Sequence, residues 1–220
     1  MKKGLTELVF ILDRSGSMGG LESDTIGGLN SLLMKQKKEE GEANVTTVLF
    51  DDQIEVVHDR FPIEVVRQLT EEDYYVRGCT ALLDAVGSTV KKIENVQNRL
   101  PEEMKAEKII FVITTDGQEN ASQEYTYNMV KKMIEKHQEE GWQFIFMGAN
   151  IDAVREAENL GIRGKRAVTY RNDSKGVQLN YCVAGNIVSN LRSHDYSAEE
   201  EDRMIHKCFS SISNHLKGEE

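Results

Sequence analysis

Proline is close to absent from this sequence. Pro62 and Pro101 are the only two among 220 residues. Both fall in connections between apolar runs, so proline interrupts no element and marks no linker between domains. Cysteine is scarce as well. Cys79, Cys182 and Cys208 form an odd set without CxxC spacing, which points neither to a disulfide framework nor to a thiolate zinc site. A reducing compartment is the simpler setting, and a cytoplasmic location is the expectation. Long apolar runs are missing too: nothing approaches the roughly 20 residues of a membrane-spanning helix. Lys2 and Lys3 ahead of "LVFIL" give the start a faint likeness to a signal peptide. Glu7 interrupts the region, the apolar run is too short, and Asp13 stands where a small-residue cleavage site belongs. Positive charge is in deficit, with 27 Lys and Arg against 37 Asp and Glu, a net charge of −10. That balance argues against a surface that tracks nucleic-acid phosphates.

What is present alternates. "LTELVFIL" (5–12) and "EKIIFVITT" (107–115) are short continuous apolar runs, the pattern of strands buried on both faces. "ANVTTVLF" (43–50) and "IEVVHDRF" (54–61) flank Asp51, Asp52 and Gln53 as a hairpin, so one antiparallel strand is expected. "WQFIFMG" (142–148) and a segment near 165–170 supply two more strands. Helical spacing marks 22–38, 81–99, 122–140, a short piece near 151–160, and 174–193. The alternation implies an α/β chain with a mostly parallel, doubly wound sheet and helices on both faces. The length suits one domain, or one domain with a helical extension. Residues 1–193 are read as the domain. Residues 194–220 are read as an amphipathic extension that packs on it, with Ser197 and Glu200 at capping-box spacing and Ile205, Phe209, Ile212 and Leu216 on one side. A helix that docks on a partner is the other reading of that tail.

The chemistry gathers at strand ends. "ILDRSGSMGG" (11–20) runs from buried strand into alternating Asp13, Ser15 and Ser17. "RGCTALLDAV" puts Thr80 at the start of a helix behind a glycine, and "VITTDGQENAS" puts Asp116 at the end of the 107–115 strand. In a doubly wound sheet the carboxyl ends of two strands whose helices lie on opposite faces bound a crevice. If those two strands are neighbours there, two carboxylates and three hydroxyls converge. Such a donor set suits a hard divalent cation, Mg²⁺ foremost, that keeps part of its shell open. No histidine or cysteine ligand is offered, which disfavours zinc and copper. A helix cap alone would need one such residue rather than three in alternation. A phosphate loop would need a lysine and no carboxylates.

These motifs resemble the von Willebrand factor A (vWA) domain, over roughly residues 5–193. Asp-x-Ser-x-Ser follows the first strand, a Gly-x-Thr-x-Leu setting carries the threonine, and Thr-Asp-Gly follows the fourth strand. The resemblance implies a three-layer α/β/α Rossmann-like fold with six strands in order 3-2-1-4-5-6 and strand 3 antiparallel. It implies a metal-ion-dependent adhesion site (MIDAS) made by Asp13, Ser15, Ser17, Thr80 and Asp116. Mg²⁺ is the expected ion, with Mn²⁺ or Ca²⁺ as substitutes. The function implied is metal-dependent binding of a protein partner that supplies an Asp or Glu carboxylate, with no reaction, nucleic acid or membrane involved. Cys79 stands where the family often has a second glycine. The alternative is a Mg²⁺-dependent phosphatase resembling the haloacid dehalogenases, which require an acid two residues after the first aspartate; that position is Ser15. Near the site, Glu119 and Asn120 are read as a helix start, with hydrogen bonding to the site as the alternative. Asn150 or Asp152 is read as a helix cap, and the acidic runs 102–107 and 198–202 as solvated faces.

Overall fold

The computed structural model describes residues 1–218. The chain runs β1 (Lys2–Asp13), α1 (Glu22–Gln36), β2 (Glu42–Phe50), β3 (Ile54–Pro62), α2 (Leu82–Arg99), β4 (Ala106–Thr115), α3 (Tyr127–Glu139), β5 (Gln143–Ala149), α4 (Ala153–Asn159), β6 (Ala167–Tyr170), α5 (Ser174–Ser193) and α6 (Ala198–Lys217). The six strands form one sheet in the order β3-β2-β1-β4-β5-β6. Only the β2–β3 pairing is antiparallel.

The apolar runs are continuous because both faces of the central strands are covered. Leu8, Phe10 and Leu12 of β1 point to one face, with Ile110 and Val112 of β4 and Leu29, Leu33, Val177 and Ile187 of α1 and α5. Val9 and Ile11 point to the other, with Phe111, Phe144 and Phe146 and with Val86, Val90, Val130 and Ile134 of α2 and α3. Each face is thus a separate core layer. On the second, Phe111 stacks between Phe144 and Trp142, with centroids 4.8 and 5.7 Å away.

Two boundaries depart from expectation. β1 starts at Lys2 rather than residue 5, because polar backbone can pair with β4 without an apolar side chain to mark it. The helix expected from 122 begins at Tyr127. Gln123, Glu124 and Tyr125 instead donate their backbone N–H groups to the Asp84 carboxylate of α2, at 2.7 to 2.9 Å. Three such bonds outweigh an early helical turn, and Thr126 then caps α3.

α6 starts with the capping box of Ser197 and Glu200 and ends at Gly218 in the left-handed region, φ 74°. Ile205, Phe209 and Ile212 are buried in the α1/α5 core layer beside Val168, Tyr170 and Val183. Leu216 is exposed and takes no part. The acidic run at 198–202 is not merely a solvated face. Glu201 and Asp202 bind the buried guanidinium of Arg166 at 2.8 and 3.1 Å. That arginine also donates to Gln143 of β5. α6 is therefore held by a buried cation as well as by its apolar stripe. Among the described residues no helix is long and apolar enough to cross a membrane.

Candidate metal centre

β1 and β4 are adjacent and parallel, and their following helices cover opposite faces of the sheet. Their carboxyl ends carry Asp13 and Asp116, each about 1% exposed. Asp13 accepts the backbone N–H of Ser15 at 2.7 Å and the Thr115 hydroxyl at 2.6 Å. Its own carbonyl accepts the Tyr74 hydroxyl at 2.5 Å. Ser17 donates to Asp116 Oδ1 at 2.6 Å, and the Ser15 and Ser17 hydroxyls are 3.1 Å apart. Thr80 reaches the same place. A Cβ on Gly117 would lie 2.9 Å from Thr80 Oγ1, 3.5 Å from Ser17 Oγ and 3.9 Å from Ser15 Oγ. All three hydroxyls thus border the space beside Gly117, and a Cβ there would press on that of Thr80.

Thr80 is placed by backbone bonds from two sides. Its N–H donates to Asn120 Oδ1 at 2.9 Å, and its carbonyl accepts the N–H groups of Asn120 and Ala121 at 3.0 and 3.2 Å. On the other side Ala81 donates to the Asp51 carbonyl, Arg77 to the Arg14 carbonyl, and Gly16 to the Gly78 carbonyl. Gly78 has φ 64°, and a Cβ there would strike the Asp52 carboxylate, so the turn before Thr80 requires glycine. Cys79 is exposed and displaces nothing. Glu119 and Asn120 do not start a helix. Asn120 fixes Thr80, while Glu119 accepts from Leu83 N–H at the start of α2 and from Ala121 and Ser122. Asp152, rather than Asn150, caps α4.

The electrostatics are unusual. Two buried carboxylates face one another, and neither forms an ion pair among the described residues. Arg14, next to Asp13 in sequence, turns away to Asp51 and Glu55. Burial raises the Asp13 carboxyl above its ordinary range despite its hydrogen bonds. Burial, opposed by the Ser17 hydrogen bond and reinforced by the Asp13 charge, raises Asp116 to about 6. Burial and like charge both work against ionisation of these carboxyls, which marks the pair as a candidate functional site. Among the described residues no cluster of three His, Cys, Asp or Glu side chains forms a metal site. The donors here are two carboxylates plus hydroxyls, a set that fits a hard, oxygen-preferring ion and not a thiolate- or imidazole-seeking one.

The structure thus brings together all five residues singled out from the sequence, and adds others. Thr115 could have been noticed as a hydroxyl adjoining Asp116. Asn172, in the loop after β6, donates to Asp116 Oδ2 at 3.4 Å, and nothing in the local sequence sets it apart.

The sequence matches no protein-family model and no curated protein. Solved structures do align with it. Proximal thread matrix protein 1 from the mussel byssus matches with a TM-score of 0.58 and 15% identity, over 87% of this chain and 48% of that one. This chain therefore spans about half the length of the mussel protein. Another structure of that protein, with a zinc-occupied MIDAS motif, aligns at a TM-score of 0.57 and 15% identity, over 88% and 48% of the two chains. The vWF domain of the type V pili tip protein Mfa5 from Porphyromonas gingivalis aligns at 0.58 and 11% identity, over 88% of this chain and 98% of that one. Manganese-loaded TRAP protein from Plasmodium vivax aligns at 0.53 and 16% identity, over 81% and 73%. At these identities the likeness is one of fold. With its strand order, its single antiparallel strand and helices on both faces, the chain has the Rossmann-like fold of the vWA domain.

Proposed function

We propose that this chain is a metal-dependent protein-binding module. Asp13, Ser15, Ser17, Thr80 and Asp116 hold one divalent cation, Mg²⁺ by preference and Mn²⁺ or Ca²⁺ in its stead. The cation's open position receives an Asp or Glu carboxylate from a partner protein. Residues 1–193 form the binding domain and 194–218 its helical extension; the last two positions of the 194–220 segment lie outside the described residues. The observation that carries this reading is the pair of buried, unpaired carboxylates ringed by three hydroxyls. When bound, the cation would supply a Lewis-acidic centre whose charge the two carboxylates balance and to which the hydroxyls add no further negative charge. Asp13 and Asp116 neutralise it, the hydroxyls orient around it, and the partly shielded crevice strengthens its attraction for an incoming anion. The zinc-occupied MIDAS motif of the mussel protein and the manganese-loaded state of TRAP support a divalent ion at such a fold's site.

Calorimetry on metal-stripped protein tests the reading. One saturable Mg²⁺ or Mn²⁺ event is expected. It disappears in Asp13→Ala and in Asp116→Ala while circular dichroism shows the fold retained. Cation binding that is unchanged in both variants overturns the assignment.

A further inference from the structure

Asn172 occupies the three-residue connection between β6 and α5, 56 positions from Asp116 in sequence. β6 lies two strands from β4, so only the sheet order brings this loop to the site. The connection is fixed from several directions. Asp173 caps α5 by accepting the Gly176 N–H at 2.7 Å. Its carboxylate also meets Arg171 at 2.9 Å and His215 of α6 at 3.2 Å. The bonds of Asp173 thus help to fix the loop that carries Asn172.

Its amide is half used. Nδ2 donates to Asp116 Oδ2 at 3.4 Å. Oδ1 is sealed from solvent and has no hydrogen-bond partner among the described residues. An acceptor buried without a donor is costly, and such groups in folded proteins call for an explanation. Asp116 has one oxygen bound by Ser17 and the other by Asn172.

We infer that Asn172 is a positioning residue of the metal centre: its amide N–H₂ donates to Asp116 and orients that carboxylate within the site. The inference rests on the metal-binding reading above and extends it to a sixth residue. It follows that the β6–α5 loop, and not only the three motif loops, sets the affinity of the site. Outer groups that orient ligands commonly change metal affinity by ten- to a hundredfold. Asn172 sits at a long hydrogen-bond distance, so the expected effect is at the lower end.

Two measurements on the full chain test this. The first needs no metal. In EDTA, the Asn172 side-chain amide resonance in a ¹H–¹⁵N spectrum shifts when Asp116 becomes Asn. No shift overturns the contact. The second is Mg²⁺ calorimetry on Asn172→Leu, which keeps the branched outline of the side chain in a larger volume and removes both halves of the amide. Affinity is expected to fall about tenfold, with the melting temperature in EDTA unchanged or raised, since an unsatisfied acceptor has been removed. Unchanged affinity in Asn172→Leu overturns the positioning role even where the resonance shift is seen. A wild-type chain that binds no cation overturns the metal-binding reading and this inference with it, while the EDTA shift still reports whether the two side chains touch.

Discussion

Arg14 Nε lies 2.9 Å from Asp51 Oδ2, and neither side chain reaches solvent. Arg77 binds the same oxygen from the other side at 2.7 Å. This relationship explains how the site keeps two carboxylates without a protein cation. The one arginine placed in sequence to neutralise Asp13 is spent at the end of β2, where it helps hold the loop that leads to Thr80. Burial alone would raise the Asp51 carboxyl; Arg77, the Gln53 N–H and Arg14 outweigh it and hold it below the usual range. Removing one partner of a buried ion pair strands the other charge, at a cost of roughly 3–5 kcal/mol. Asp51→Leu is therefore expected to destabilise the chain by about that amount, read from urea unfolding. Arg14→Met in the same chain should restore a large part of the loss. Additive losses in the double variant would show that the pair is not coupled.

Gly117→Ala separates the site from the fold. The added Cβ would sit 2.9 Å from Thr80 Oγ1, and that hydroxyl is the atom that must give way. Turning one side-chain terminus costs the fold little. On the proposed function, displacing the Thr80 hydroxyl costs cation affinity directly. Mg²⁺ affinity is expected to fall about tenfold or more, with a melting temperature in EDTA within a few degrees of wild type. A large drop in melting temperature with intact Mg²⁺ affinity would contradict the geometry around Gly117.

Partner binding should need the cation. Capture of a carboxylate-bearing partner is expected to be lost in EDTA, restored by Mg²⁺, and weakened in Thr80→Ala. The apolar stripe of α6 offers no rival surface, since Ile205, Phe209 and Ile212 are already buried against the chain's own core. Phe209→Ala should cost about 3–5 kcal/mol of stability by urea unfolding, as expected for a buried aromatic. Binding that survives EDTA and Thr80→Ala but is lost with residues 196–220 would shift the function to the tail.

Catalysis is expected to be absent. A phosphatase of the haloacid dehalogenase type needs a general acid where Ser15 stands, and a serine hydroxyl does not titrate in the useful range. No Mg²⁺-dependent turnover of an aryl phosphate should be detected. Turnover that disappears in Asp13→Asn would establish the enzymatic reading.

His58 gives stability a pH dependence of known sign. The ring is buried, with Nδ1 2.9 Å from Thr47 Oγ1 and Nε2 unpaired. Burial, with Arg67 adding, lowers its pKa below the ordinary 6.5. The unfolded chain then binds the proton first as pH falls through 6.5, so this residue's contribution to stability declines below that pH. Asp116 acts in the opposite sense: its carboxyl, raised to about 6, makes the metal-free fold more favourable as pH falls through that value. The test is therefore a difference. Between pH 7 and 5 in EDTA, His58→Leu should lose less stability than wild type, or gain more. Parallel curves for the two proteins would remove His58 as the source.

Sequence alone determined the fold class and singled out the five candidate site residues. Period-2 and period-3.6 patterns mark which segments bury one face or two, and the alternating Asp13, Ser15 and Ser17 at a strand end have no simple packing role. These are local properties, carried by neighbours in the chain. Sequence could not determine where the helix after Asp116 begins, because Asp84, some forty residues away, draws three backbone N–H groups out of it. Nor could it distinguish a solvated acidic run from one that clamps Arg166. Tertiary structure alone decided that Arg14 turns from Asp13, that Asn120 holds Thr80, and that Asn172 reaches Asp116. Each of these depends on which strands the sheet places side by side. Side-chain hydrogen bonds act over about 3 Å, and the positions they join lie between 37 and 56 residues apart along the chain.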